Sequence, residues 1–169
     1  MRKRKTLLAI ALVTLALLVT ACPKRAAVTD SKVIRGWAER EGYQWIEGPD
    51  EIRTEQAFFD YIDGAAQPII DLGWKRSLYG VLTKDKARLR LTFHEMADSK
   101  AAAALLAQNA FKDTQPIAVG DRAVYWDRGA FSKGILFQKG NVVCELTLEK
   151  EGSQAKLLGL ASSLETLTD

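Results

Sequence analysis

The sequence predicts an α+β domain: an antiparallel sheet of about five strands packed with about three helices, in the order α-β-β-α-β-β-β-α. Three observations carry this. The segment Lys86 to Met96 alternates cleanly, with Leu89, Leu91 and Phe93 to one side and Arg88, Arg90, Thr92 and His94 to the other, the pattern of an antiparallel strand with one polar face. Three further strand-like runs, 123–126, 130–138 and 141–149, follow one another with only turn residues between them. Apolar residues at helical spacing mark 55–72 and 153–166, and an alanine-rich stretch lies between the two strand groups.

Residues 32–53 show no sustained period. Gly36-Trp37, Gly42-Tyr43, Trp45 and Gly48-Pro49 punctuate what reads as an extended segment pinned to the domain by its aromatics. Thr54 is a candidate N-cap, with Glu55 in the first turn. Phe58, Tyr61, Ile62, Ala65, Ile69 and Leu72 then recur at helical spacing until Gly73, a natural stop. Pro68 lacks an N–H and should kink this helix, leaving one bent helix over 55–72 or two short ones.

Trp74 to Thr83 and Lys86 to Met96 read as a hairpin turning at Lys84-Asp85. That turn would set Val81 opposite Arg88, Tyr79 opposite Arg90, Ser77 opposite Thr92 and Lys75 opposite His94. Asp98 or Ser99 caps the alanine-rich helix, which reads to about Lys112 with Leu105 and Leu106 as its core contacts. Asp127-Arg128-Gly129 and Lys139-Gly140-Asn141 supply turns between the last three strands. The final helix carries Leu157, Leu160, Ala161, Leu164 and Leu167 on one face.

The amino terminus is a targeting segment. Arg2-Lys3-Arg4-Lys5 is followed by Leu7 to Ala21, apolar except for Thr14 and Thr20, and small residues precede Cys22. Fifteen residues fall short of the roughly 18 that a membrane span needs. Removing 1–21 leaves 148 of the 169 residues, enough for one domain that needs no disulfide or metal to fold. Residues 22–31 read as a short tether and 32–169 as the single domain. The net charge of +3 belongs to the signal: without it 20 Lys and Arg stand against 21 Asp and Glu. The basic balance that would suggest nucleic acid therefore disappears.

Val19-Thr20-Ala21-Cys22 resembles the lipobox of bacterial lipoproteins. The resemblance implies cleavage before Cys22, a diacylglyceryl thioether on its sulfur and usually acylation of its new amino group. It implies a bacterial cell-envelope protein held by lipid. Pro23 after the cysteine resembles lipoproteins sorted to the outer membrane, on its periplasmic side, where the cell has two membranes. Gly36-Trp37, then Tyr61-Ile62-Asp63-Gly64-Ala65-Ala66 and Leu72-Gly73-Trp74, resemble an uncharacterised family of bacterial secreted proteins and lipoproteins. That family has no assigned function, so the resemblance brings no catalytic residues.

Classical chemistries find little support. With Cys22 lipidated, Cys144 is the only free thiol, and alternation places it with Val142, Leu146 and Leu148 on a core face. His94 stands alone on the polar face of its strand, exposed and without a nucleophile motif nearby. Asp60, Asp63 and Asp71 fall at 1, 4 and 12 of a twelve-residue window, with Ile62 and Gly64 where an EF-hand needs ligands. No Gly-rich loop feeds a helix. The chain is expected to be neither an enzyme nor a metal or cofactor protein, its one covalent group being the lipid on Cys22.

Two candidate sites remain. Asp63, Gly64 and Trp74 mark a cleft between helix 55–72 and the sheet, an apolar pocket lined by Trp74, Tyr61 or Phe58; the alternative is that Asp63-Gly64-Ala65-Ala66 only packs. Lys75, Tyr79, Arg88, Arg90 and His94 share one hairpin side, a basic face for an envelope protein or anionic polymer. Its alternative is a solvated sheet surface. The expected function is a lipid-anchored, non-enzymatic binding or interaction module, with a small-molecule-binding domain as the alternative and an envelope hydrolase behind both.

Overall fold

The computed structural model describes residues 30–62, 64–109, 113–149 and 153–167. Cys22, the signal and the segment through residue 29 lie outside the described residues, as does Asp63. The elements run α1 (Ser31–Arg40), β1 (Gln44–Ile52), α2 (Glu55–Ile62), α3 (Ala66–Asp71), β2 (Trp74–Lys84), β3 (Ala87–Met96), α4 (Ser99–Asn109), β4 (Gln115–Ile117), β5 (Arg122–Asp127), β6 (Ser132–Lys139), β7 (Val142–Glu149) and α5 (Gln154–Glu165). The architecture is α+β, but the expected five strands and three helices are corrected to seven strands and five helices among the described residues.

The additional elements have local causes. Asp30 caps α1, its carboxylate accepting from the Lys32 amide at 2.8 Å, and Glu51 accepts from the Ser31 amide at 2.9 Å. Ile34, Trp37 and Ala38 stand three and four apart and are fully buried, so the 32–53 segment opens as an amphipathic helix instead of running extended. β1 pairs with β2 despite Gly48-Pro49, because the ladder slips between Glu47 and Asp50 and lets the pair bulge outward. Proline is tolerated there because β1 is an edge strand. Pro116 sits the same way in β4, the three-residue opposite edge.

The 55–72 helix is two short helices. Thr54 Oγ1 caps the first, accepting from Ala57 N at 3.3 Å. The break falls at Gly64, whose φ of +78° no L side chain adopts readily, and not at Pro68. Pro68 is the third residue of α3, where a backbone N–H has no helical partner to lose.

The sheet is antiparallel throughout, in the order β1-β2-β3-β7-β6-β5-β4. Two meanders, β1 to β3 and β4 to β7, meet where β3 lies beside β7. The β2–β3 hairpin turns at Asp85-Lys86, with φ of +50° and +68°, a two-residue turn whose twist matches the strands. Ser77 therefore faces His94, Tyr79 faces Thr92 and Val81 faces Arg90. The register is two residues from the sequence expectation. A slip of two leaves every side chain on its expected face.

Both faces of the sheet carry a core. On one, α1 and α5 cover Leu78, Leu82, Leu91, Phe93, Cys144 and Leu146. Cys144 is 1% exposed, and burial pushes its thiol well above the usual range. On the other face, α2, α3 and α4 cover only part of the sheet, packing Phe58, Ala66, Leu105 and Leu106 against Trp74, Met96, Leu136 and Val143. The remainder of that second face is open.

Candidate functional site

The open part of the second face is polar for a reason visible in the strands. Arg90, Thr92 and His94 on β3 pair with Thr147, Glu145 and Val143 on β7. Each of these positions alternates with a core residue, so the polar set is held on one side by the burial of the other. Tyr79 on β2 extends this floor, and Tyr61, Ile62 and Ile69 from α2 and α3 rise beside it. Together with Glu47, Asn109, Trp126 and Leu136 they enclose about 540 Å³, within the usual span of ligand sites.

A second hollow of about 310 Å³ adjoins the first, sharing Arg90, Trp126, Glu145 and Thr147 and adding Arg128, Phe131, Ser132 and Glu149. The two form one groove across the sheet. Trp126 shapes its middle. A Cβ at Gly134 would lie 2.3 Å from the Trp126 ring, so the indole lies flat on bare backbone. Arg128 places its guanidinium 5.2 Å from the centre of that ring.

At the inner end Tyr61 leans on Tyr79, ring centres 4.5 Å apart. Burial, and then a hydrogen bond with Tyr79, push the Tyr61 hydroxyl well above the usual phenol range, so it stays protonated. Below it Trp74 Nε1 donates to Ser77 Oγ at 2.7 Å, and Ser77 Oγ lies 2.7 Å from His94 Nδ1. Ser77 accepts from Trp74, and its hydrogen bond with His94 Nδ1 runs in either direction according to the ring's tautomer. The pair fixes the orientation of the ring beside the groove it lines. Desolvation beside Phe58 holds the His94 pKa down at about 4, so the ring is neutral near pH 7.

The charges are largely matched. Arg90 reaches Glu149 at 2.8 Å, and Arg88 lies 3.7 Å from Glu149 and 3.9 Å from Glu47. Glu145 accepts from Thr147 Oγ1 at 3.1 Å. Cleft and basic face are thus one place. Tyr79, Arg90 and His94 line the groove, and Arg88 lies beside it on the same face. Lys75 falls in the bulge between Trp74 and Arg76, exposed and outside the groove.

Several expectations are corrected. Trp74 and Phe58 do not wall the cleft; they stack face to face at 4.5 Å in the core beneath it. Gly64 stands exposed outside the lining, and Asp63 lies outside the described residues. The pocket is mixed in polarity and not apolar, and His94 is half-buried and not exposed. A serine does stand beside His94, but Ser77 is 2% exposed and is held by Trp74, so its hydroxyl orients the ring and meets no substrate. Sequence reasoning missed Glu47, Trp126, Phe131, Glu145 and Thr147. The alternation of 142–149 already set Glu145, Thr147 and Glu149 opposite the core; their juxtaposition with Arg90 needed the long-range strand pairing.

No family model matches the sequence, and no curated protein matches it. The structure is similar to the crystal structure of the extracellular domain of PknH from Mycobacterium tuberculosis, with a TM-score of 0.49 and 9% identity, over 78% of this chain and 89% of that one. No helix among the described residues is long and apolar enough to cross a membrane.

Proposed function

We propose that this chain is a lipid-anchored protein of the bacterial cell envelope, carrying a non-enzymatic domain that binds a small polar ligand in the groove between α2–α3 and the open half of the sheet. The single observation behind the binding role is the groove itself, about 540 Å³ at its inner end, with donors and acceptors converging from β2, β3 and β7. The ion pairs of Arg88 and Arg90 with Glu47 and Glu149 favour this reading over a basic docking face, since they leave little net charge to attract an anionic polymer. The anchoring half rests on Val19-Thr20-Ala21-Cys22 and the basic, apolar segment before it. Two or more acyl chains hold a protein at a bilayer where one does not, and Lys24 and Arg25 would add about 1 kcal/mol each on an anionic surface.

Two measurements test the two halves. Cells expressing the full chain and its Cys22→Ser variant are fed an alkyne-bearing palmitate. Label and membrane partition are expected for the first and absent from the second; equal labelling would overturn the anchor. For the groove, amide resonances of the full chain in detergent micelles are followed as fractionated envelope metabolites are added. Shifts confined to Tyr79, Thr92, Glu145 and Thr147 are expected. Shifts only elsewhere, or none, would remove the binding role from this site.

A further inference from the structure

We infer that the groove's ligand is a neutral oligosaccharide, laid across the sheet with one ring against Tyr61 and another toward Phe131. This rests on the proposal that the groove binds a ligand and names its class.

Exposed aromatics are the first ground. Among the described residues three large hydrophobic side chains are exposed, Ile46, Tyr61 and Phe131. Two of the three stand at opposite ends of this groove, Phe131 with 83% of its surface free. An aromatic face, negative at its centre, accepts the C–H bonds of a sugar ring, and a sugar is the polar molecule that presents such a face. Between the two rings the lining is mixed, Thr92, Thr147, Glu145 and His94 standing beside Trp126 and Leu136.

Hydrogen-bond chemistry is the second ground. Hydroxyls donate and accept, and the floor offers both functions: carboxylate acceptors, a neutral imidazole and threonine hydroxyls that do either. Ser77 holds one ring nitrogen of His94, and desolvation keeps the ring neutral. Such fixed polar groups favour a partner whose own groups match them, since a buried polar group left unmatched costs about 1–3 kcal/mol.

Charge is the third. Arg90, the basic side chain lining both hollows, is taken by Glu149. Across both hollows Arg90 and Arg128 stand against Glu47, Glu145 and Glu149, so an anionic ligand meets no excess of positive charge. A peptide is disfavoured by the backbone: the groove crosses the middle of the sheet, where the amides and carbonyls of β3, β7 and β6 are spent on one another. An added strand has no edge to pair with there, and the mixed lining is not the continuous apolar groove that an amphipathic helix requires.

The full chain in detergent micelles is probed on an array of neutral linear glycans, and then titrated with the tetrasaccharide and monosaccharide of any glycan bound. Binding at least tenfold tighter for the tetrasaccharide is expected, with shifts at Thr92, Glu145 and Thr147. Tyr61→Ala and Phe131→Ala should each weaken binding at least tenfold at a temperature where the variant is fully folded, whereas Tyr61→Phe should retain it. Binding that ignores both alanine variants would overturn the proposal, as would an array on which no neutral glycan binds. In that last case a tryptic peptide mixture is titrated. Peptide shifts at the same amides would leave the groove a ligand site and exclude the sugar; silence from peptides and envelope metabolites alike would end both readings.

Discussion

His94 stays neutral because of what surrounds it, and that has a measurable sign. Its native pKa of about 4 lies below the ordinary value of 6.5. Between those values the unfolded chain takes up a proton that the native chain refuses, so stability falls as pH falls. The contribution is fully present above pH 6.5 and is lost by about pH 4, at most on the order of 3 kcal/mol. Glu51 acts in a lower window. The Ser31 amide, with Arg53 adding, holds its carboxyl down at about 2 from 4.5, so its contribution is lost as pH falls from 4.5 toward 2. Urea melts from pH 7 to pH 4.5 are expected to show a steady decline that His94→Gln flattens. An equal decline in that variant would remove His94 as the cause. None of this was legible in the sequence, which placed His94 on the polar side of its strand and read that side as solvent. The burial comes from Phe58, 36 residues earlier in the chain, whose helix the alternation of β3 does not reveal.

At the scale of elements, β6 contributes an absence. Gly134 is the only residue that lets Trp126 lie flat, since any Cβ would meet the ring at 2.3 Å. Gly134→Val is expected to destabilise the domain by about 1–3 kcal/mol through overpacking and to drive the indole up into the groove. Ligand binding should then fall more than the stability loss explains, checked by titration at a temperature where the variant is fully folded. Retained affinity would show that Trp126 does not shape the site. The strands themselves were readable where one period ran unbroken. Leu89 to His94 and Cys144 to Glu149 alternate apolar and polar residues without interruption, and their faces follow directly. Elements broken by glycine or proline were not: Gly36 inside α1, Gly48-Pro49 inside β1 and Pro116 inside β4 each interrupt the pattern that defines them. Even so, Ile34, Trp37 and Ala38 carried the signal that could have found α1. The hairpin turn was misplaced by one residue at each side because Asp85 and Lys86 both adopt positive φ without a glycine to announce it.

Across the whole molecule, the site is made by the one junction the chain has to close over distance. Two meanders, each built from neighbouring strands, are joined by β3 beside β7, so Arg90 meets Thr147 and Thr92 meets Glu145. Neither meander alone has a groove, since the floor is half of each. A single sequence gives the faces of both strands but not that they are partners, which is why the basic hairpin side was foreseen and its matching carboxylates were not. The same junction distributes the tryptophans unevenly. Trp37, Trp74 and Trp126 are all buried, the first two donating their indole N–H to Ser163 and Ser77, and Trp45 packs on the core. Trp126 is the tryptophan that borders both hollows. The domain therefore carries its own optical reporter: emission from three indoles forms a constant background, while the fourth changes colour and intensity as its neighbourhood fills. A bound ligand is expected to shift the emission of the native chain and leave that of Trp126→Phe unmoved, so occupancy can be read by light from the unlabelled protein. A shift that persists in Trp126→Phe would place the ligand beside one of the other three.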